Sequence, residues 1–114
     1  RHDTELIILR VAHLRDCGYE MDHHIRLGRK AGIDAEELAR IIEGPGASEL
    51  SPRHRAILTA VDELVTTKDV TDDTWGTLSQ HLDDRRLIEF TLLVTQYDGL
   101  ATTIGTLQVQ RDFS

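Results

Sequence analysis

The sequence predicts an all-α protein of about six helices, packed as a helical bundle with short connections. Three observations carry that prediction. Apolar residues recur at three- and four-residue spacing in one segment after another. No stretch shows the sustained period-two alternation of a half-buried strand. The breaks between segments carry helix punctuation, with Asp, Ser or Thr ahead and Gly or Pro behind.

The first helix is expected over Glu5–Leu14, with Asp3 or Thr4 as its cap. Its run Leu6-Ile7-Ile8-Leu9 is apolar nearly all round, which predicts burial on more than one side. That makes Glu5, its one early acid, worth attention. Gly18 marks a break or a new start, and a second helix carries Ile25, Leu27 and Ala31 before stopping at Gly32. Asp34-Ala35-Glu36-Glu37 has the form of a capping box for a short third helix, with Leu38, Ile41 and Ile42 at helical spacing. Gly44-Pro45-Gly46 is the strongest turn in the chain. Ser51-Pro52 opens the fourth helix, whose stripe is Ile57, Leu58, Val61, Leu64 and Val65. Thr71 and Asp72 begin a fifth, with Trp75, Leu78 and Leu82 inward. Asp83 or Asp84 caps the last and longest, with Leu87, Phe90, Leu93, Val94, Tyr97, Ile104 and Leu107 as its stripe. The other face of that helix carries Thr91, Thr95, Gly99, Thr102, Thr103 and Gly105. Small residues there, with the very apolar first helix, predict surface buried against other copies in a homo-oligomer.

At 114 residues the chain reads as a single domain, 1–114, with one core. A net charge of −7, with basic residues scattered among acids, excludes nucleic acid as a partner because no basic stripe faces the phosphates. No apolar run approaches the roughly 20 residues of a membrane span. The lone Cys17 forms no intramolecular disulfide, so cytoplasm is the default expectation. The chain begins at Arg1 rather than Met, which reads as a piece lacking an N-terminal part.

The reactive side chains cluster in Asp16-Cys17-Gly18-Tyr19-Glu20-Met21-Asp22-His23-His24. If Glu20 to Ala31 is helical, Glu20 and His24 form an i,i+4 pair able to share a proton. Acid/base work by Glu5, Glu20 and His24, with Tyr19 or Tyr97 as donor, is one reading. A thiol site is another: Cys17 falls at a helix start, where the dipole favours a thiolate. However, the place of a resolving cysteine is taken by Glu20, whose charge opposes thiolate formation. A metal site from His13, Glu20, His23 and His24 lacks ligand spacing, so no metal is expected. His2, His54 and His81 show no partners and are expected at the surface.

The pattern resembles the carboxymuconolactone decarboxylase family, which includes the alkylhydroperoxidase D-like proteins. Glu5-Leu6-Ile7-Ile8-Leu9-Arg10-Val11-Ala12, Cys17-Gly18-Tyr19-Glu20 with His24, Ala31-Gly32-Ile33 and Glu36-Glu37 carry the resemblance. Weaker similarity continues through Ser51-Pro52-Arg53, Asp72-Asp73-Thr74-Trp75, Leu87-Ile88-Glu89 and Gln96-Tyr97. Peroxidase members have a Glu, a Cys-x-x-Cys and a His four residues later as a proton relay. Glu5, Cys17 and His24 match it, while Glu20 stands where the second Cys would be. The chain is more similar to a branch with Tyr-Glu-x-x-x-His, although Met21 replaces the Trp that often follows the Glu. Members of that branch usually carry further helices ahead of the position of Arg1.

The resemblance implies an alkylhydroperoxidase D-like fold assembled as trimers or hexamers, with a small-molecule substrate and no cofactor. Decarboxylase members act on a small carboxylated lactone from aromatic compound degradation, protonating carbon as carbon dioxide leaves. The catalytic set implied is Glu20, His24, Cys17 and Glu5, with Tyr97, Tyr19 and Arg10 on the substrate. Arg15 and Arg26 are the other cations that such a carboxylate would find nearby. The alternatives are a hydroperoxide reductase using Cys17 with an external thiol, and a non-catalytic binding or structural member.

Overall fold

In the computed structural model, which describes residues 1–110, the chain forms six α-helices. These are α1 (His2–Leu14), α2 (Gly18–Lys30), α3 (Ala35–Glu43), α4 (Pro52–Thr67), α5 (Asp72–Ser79) and α6 (Asp84–Leu107). Among the described residues there is no strand. The all-α expectation therefore holds, with six helices as predicted.

Helix α1 is the axis of the fold, packing against α2, α3, α4 and α6. Every residue from Glu5 to Ala12 is buried, which is why its sequence is apolar on all sides. Leu6, Leu9 and Val11 meet Ile41 of α3, Ile57, Leu58 and Val61 of α4, Leu78 of α5, and Phe90 and Val94 of α6 in one core. Burying a side chain of this size contributes about 1.5–3 kcal/mol, so α1 is held by its neighbours rather than by its own propensity.

The caps follow the sequence at four of five expected starts. Asp34, Ser51, Thr71 and Asp83 each accept the N–H of the third residue on, Glu37, His54, Thr74 and Arg86 respectively. The first helix departs from expectation. It begins at His2, with Arg1 at the cap position and no side-chain cap, because the Asp3 carboxylate is turned to Arg53 Nη2 at 2.5 Å. The capping box at Asp34 is half made, since the Glu37 carboxylate reaches His2 Nε2 at 2.7 Å. Trp75, expected inward, is exposed, leaving Leu78 and Leu82 to anchor the short α5 and its exit. Leu27 and Leu107 also lie outside the core.

Two glycines are required by close approach. A Cβ on Gly28 of α2 would sit 3.2 Å from Leu9 Cδ1, so its absence lets α1 and α2 draw together. Gly44 ends α3 with φ of +105°, and a Cβ there would meet Arg10 Nη2 at 2.7 Å.

Candidate functional site

Helices α1 and α2 are joined by a tight turn in which Asp16 adopts a left-handed φ of 50°, a conformation that Asp tolerates better than most residues. The Cys17 N–H then reaches back to the Ala12 carbonyl at 2.8 Å. Helix α2 starts directly after it, so Cys17 occupies the N-cap position and is buried. The turn lays α2 along α1 and sets Glu20 and His24, one helical turn apart, opposite Glu5.

His24 Nδ1 lies 2.7 Å from Glu5 Oε1, and its Nε2 lies 3.1 Å from Glu20 Oε2. One imidazole thus bridges two carboxylates. All three residues are nearly withdrawn from solvent, Glu5 and His24 at 8% and Glu20 at 7% exposure. Each ring nitrogen can hold or release a proton, and each faces a carboxylate oxygen that can do the same. The bridge can therefore pass a proton between its outer members without moving a heavy atom far.

Tyr97 of α6 packs its ring edge-on against His24, with centroids 5.5 Å apart and planes at 88°. Burial pushes the pKa of the phenol up, and the charges of Glu20 and Glu5 push it further the same way. Its hydroxyl accordingly keeps its proton at neutral pH. Tyr19 is placed differently: its ring packs on His23 at 4.8 Å. Tyr19 and Cys17 instead line a cavity of about 270 Å³ whose far wall is Ala101, Ile104 and Gln108 of α6 and its cap. His13, Glu20, His23 and His24 do not converge on one point: His24 turns to Glu5, His23 lies on Tyr19 and His13 is exposed.

Arg10, one of the cations named for a substrate carboxylate, is buried and bonded within the protein. Its Nε and Nη2 each reach an Asp62 carboxylate oxygen at 2.8 Å, and its Nη1 donates to the Ile41 and Ile42 carbonyls at 2.9 and 2.8 Å. Four of its five N–H donors are thereby used within the protein. Arg15, by contrast, lines the cavity beside Cys17. It is held by the Asp98 side chain, by the Asp98 carbonyl at 2.9 Å and by Thr102 Oγ1 at 3.0 Å. Burial pushes the Asp98 carboxyl up, but hydrogen bonds from Lys68 and Arg15 outweigh it and hold its pKa below the usual carboxylate value.

Sequence reasoning missed a second cluster altogether. His2 and His54 are not lone surface histidines; their rings stack at 5.2 Å and 15° between Asp3 and Glu37. The only signal in the sequence was their own residue types, since the partners come from three helices.

A sequence model of the carboxymuconolactone decarboxylase family matches residues 1–63, more than half of the chain and all three members of the bridged cluster. The chain is 24% identical over 101 residues to the uncharacterized protein YdfG of Bacillus subtilis, covering 87% of this chain and 69% of that protein. Its fold is similar to the crystal structure of an Agrobacterium tumefaciens protein of unknown function, described as a candidate antioxidant defence protein AhpD. That match has a TM-score of 0.91 and 19% identity, and covers 98% of this chain and 78% of the other. At that identity the likeness extends to the fold alone.

Proposed function

The chain belongs to the carboxymuconolactone decarboxylase family, and on that premise we propose that Glu5, His24 and Glu20 perform cofactor-free acid/base chemistry on a small carboxylated, lactone-like substrate. The observation that carries the proposal is the imidazole of His24 held between two buried carboxylates, at 2.7 and 3.1 Å. In the reaction, the bond from the substrate carboxylate to its neighbouring carbon breaks, and carbon dioxide departs. The electron pair left on that carbon takes up one proton. Glu20, at the Nε2 end of the bridge, delivers it. His24 replaces it through Nε2 and is itself reprotonated from solvent, while Glu5 steadies the ring through Nδ1. Tyr97, kept protonated, supplies a hydrogen bond from the α6 side. Arg15 is the cation proposed for the substrate carboxylate, because it lines the cavity shared with Cys17 and Tyr19.

The test is a panel of small lactones and unsaturated acids, assayed with wild type, His24→Gln, Glu20→Gln and Cys17→Ser. The expected result is that the first two variants lose turnover and Cys17→Ser keeps it. Full activity in His24→Gln sinks the proposal. A parallel assay with an organic hydroperoxide and a dithiol separates the thiol alternative. Peroxide turnover that vanishes in Cys17→Ser transfers the chemistry to the thiol.

The active form is proposed to be a homo-oligomer, a trimer or hexamer, assembled through the outer face of α6. Ile88 and Leu92, one turn apart on that helix, are each 62% exposed in the single chain. With Trp75 and Thr91 they line an apolar groove of about 450 Å³, which a second copy seated on this face would cover.

A further inference from the structure

The stacked pair His2 and His54 lies on the opposite end of α1 from Cys17 and takes no part in the proton bridge. Its geometry is ordered on both edges. On one edge, Asp3 Oδ1 stands 3.5 Å from His54 Nε2 and 3.9 Å from His2 Nδ1. One ligand atom from each of His2, Asp3 and His54 lies within 4.8 Å of the other two. On the other edge, Glu37 receives the remaining nitrogens, with Oε1 2.7 Å from His2 Nε2 and Oε2 3.8 Å from His54 Nδ1.

We propose that His2 Nδ1, His54 Nε2 and Asp3 Oδ1 form a binding site for a borderline divalent cation of the Zn²⁺ type. Two imidazoles and one carboxylate are a donor set that such ions favour, with the remaining coordination positions open to water or a ligand. The surroundings supply what a ligating histidine needs. Its other ring nitrogen normally donates to a carboxylate, which fixes the tautomer and raises the basicity of the coordinating nitrogen. Glu37 occupies that place behind His2 and faces the back of His54. Arg53 holds Asp3 Oδ2 at 2.5 Å and anchors itself on the His81 carbonyl at 2.7 Å. The carboxylate is therefore oriented with Oδ1 toward the two rings. The carboxylates of Asp3 and Glu37 against the one guanidinium of Arg53 leave an excess of negative charge beside the two rings, which favours a dication.

Ligand atoms around a tetrahedral zinc lie roughly 3.3 Å apart, given bonds of about 2.0–2.1 Å. Asp3 and His54 are close to that spacing already. The two rings must tilt toward each other, and the partial exposure of His2 and His54 allows the rotation. The ion would clasp the start of α1 to the start of α4, adding to the Asp3–Arg53 and Arg10–Asp62 pairs that already join these helices.

The experiment is calorimetric titration of the intact, metal-stripped protein with Zn²⁺, alongside thermal unfolding with and without the ion. The expected result is one equivalent bound and a raised Tm, as for any ligand that binds only the folded state. His54→Gln and Asp3→Asn are expected to lose the stoichiometric site and the Tm increase. Glu37→Gln, which leaves the ligands in place, is expected to weaken Zn²⁺ by about 10- to 100-fold. Far-UV circular dichroism checks that each variant is folded. Failure of the wild-type protein to bind one equivalent overturns the site, as does equal binding by wild type and the folded His54→Gln or Asp3→Asn protein. Neither outcome depends on the bridge at His24, which the titration does not touch.

Discussion

Arg10 and Arg15 stand little more than one helical turn apart at the end of α1, yet they meet different surroundings. Arg10 is enclosed by α3 and α4 and spends its guanidinium on Asp62 and two carbonyls, whereas Arg15 reaches the cavity wall. Taking an ion from water is recovered only when its partners are well aligned, and removing one partner strands the rest. Arg10→Met is therefore expected to cost about 3 kcal/mol, measured as a lower urea midpoint with an unchanged slope. The double variant Arg10→Met, Asp62→Leu should recover only part of that loss. The carbonyls of Ile41 and Ile42 still lack their donor, and they are not repaired by removing Asp62. Full additivity of the two single variants would show that the pair is not coupled.

At the scale of the helix, ends are governed by local chemistry and faces by what lies opposite. Asp34, Ser51, Thr71 and Asp83 cap their helices because a short oxygen-bearing side chain reaches its own backbone wherever the helix packs. Asp3 and Glu37 were drawn away from comparable local roles by Arg53 and His2, side chains remote in sequence. The end of α3 shows the same coupling through a glycine. Gly44 combines a φ of +105° with a guanidinium 2.7 Å from where a Cβ would stand. Gly44→Ala is expected to destabilise by about 1–3 kcal/mol from backbone strain alone, with Arg10 displaced as well. Gly46→Ala, two residues along with nothing within 4 Å of its Cβ position, is the matched control. Thermal unfolding of both checks the contrast, and equal Tm values would remove the close approach as the reason for glycine.

For the molecule as a whole, the mismatch in helix lengths is decisive. Helix α6 has 24 residues and α1 only 13, so at 1.5 Å per residue the former outruns its partner by roughly 16 Å. Its first turns bury Leu87, Phe90 and Val94, while Leu107 near its end is exposed. The long helix also turns Ile88 and Leu92 outward from the same segment that builds the core. Ile88→Glu with Leu92→Glu is expected to reduce the assembly to smaller species, read as mass by light scattering, with helicity retained. An unchanged mass would remove this face from the interface.

The sequence by itself determined that the chain is all-α, where most of its helices begin, and that α1 is buried all round. Those features follow from periodicity, short-range capping and composition, which act within a few residues. It also singled out Glu5, Glu20 and His24, because two of them share a helix face and the third is an acid in an otherwise apolar run. Only the tertiary structure decided that one imidazole touches both carboxylates, that Arg10 belongs to Asp62, that Trp75 faces outward, and that His2 and His54 stack. Each of those outcomes joins residues from different helices, or depends on whether a neighbouring helix covers the face concerned. No local rule acts across such separations; packing around α1 does.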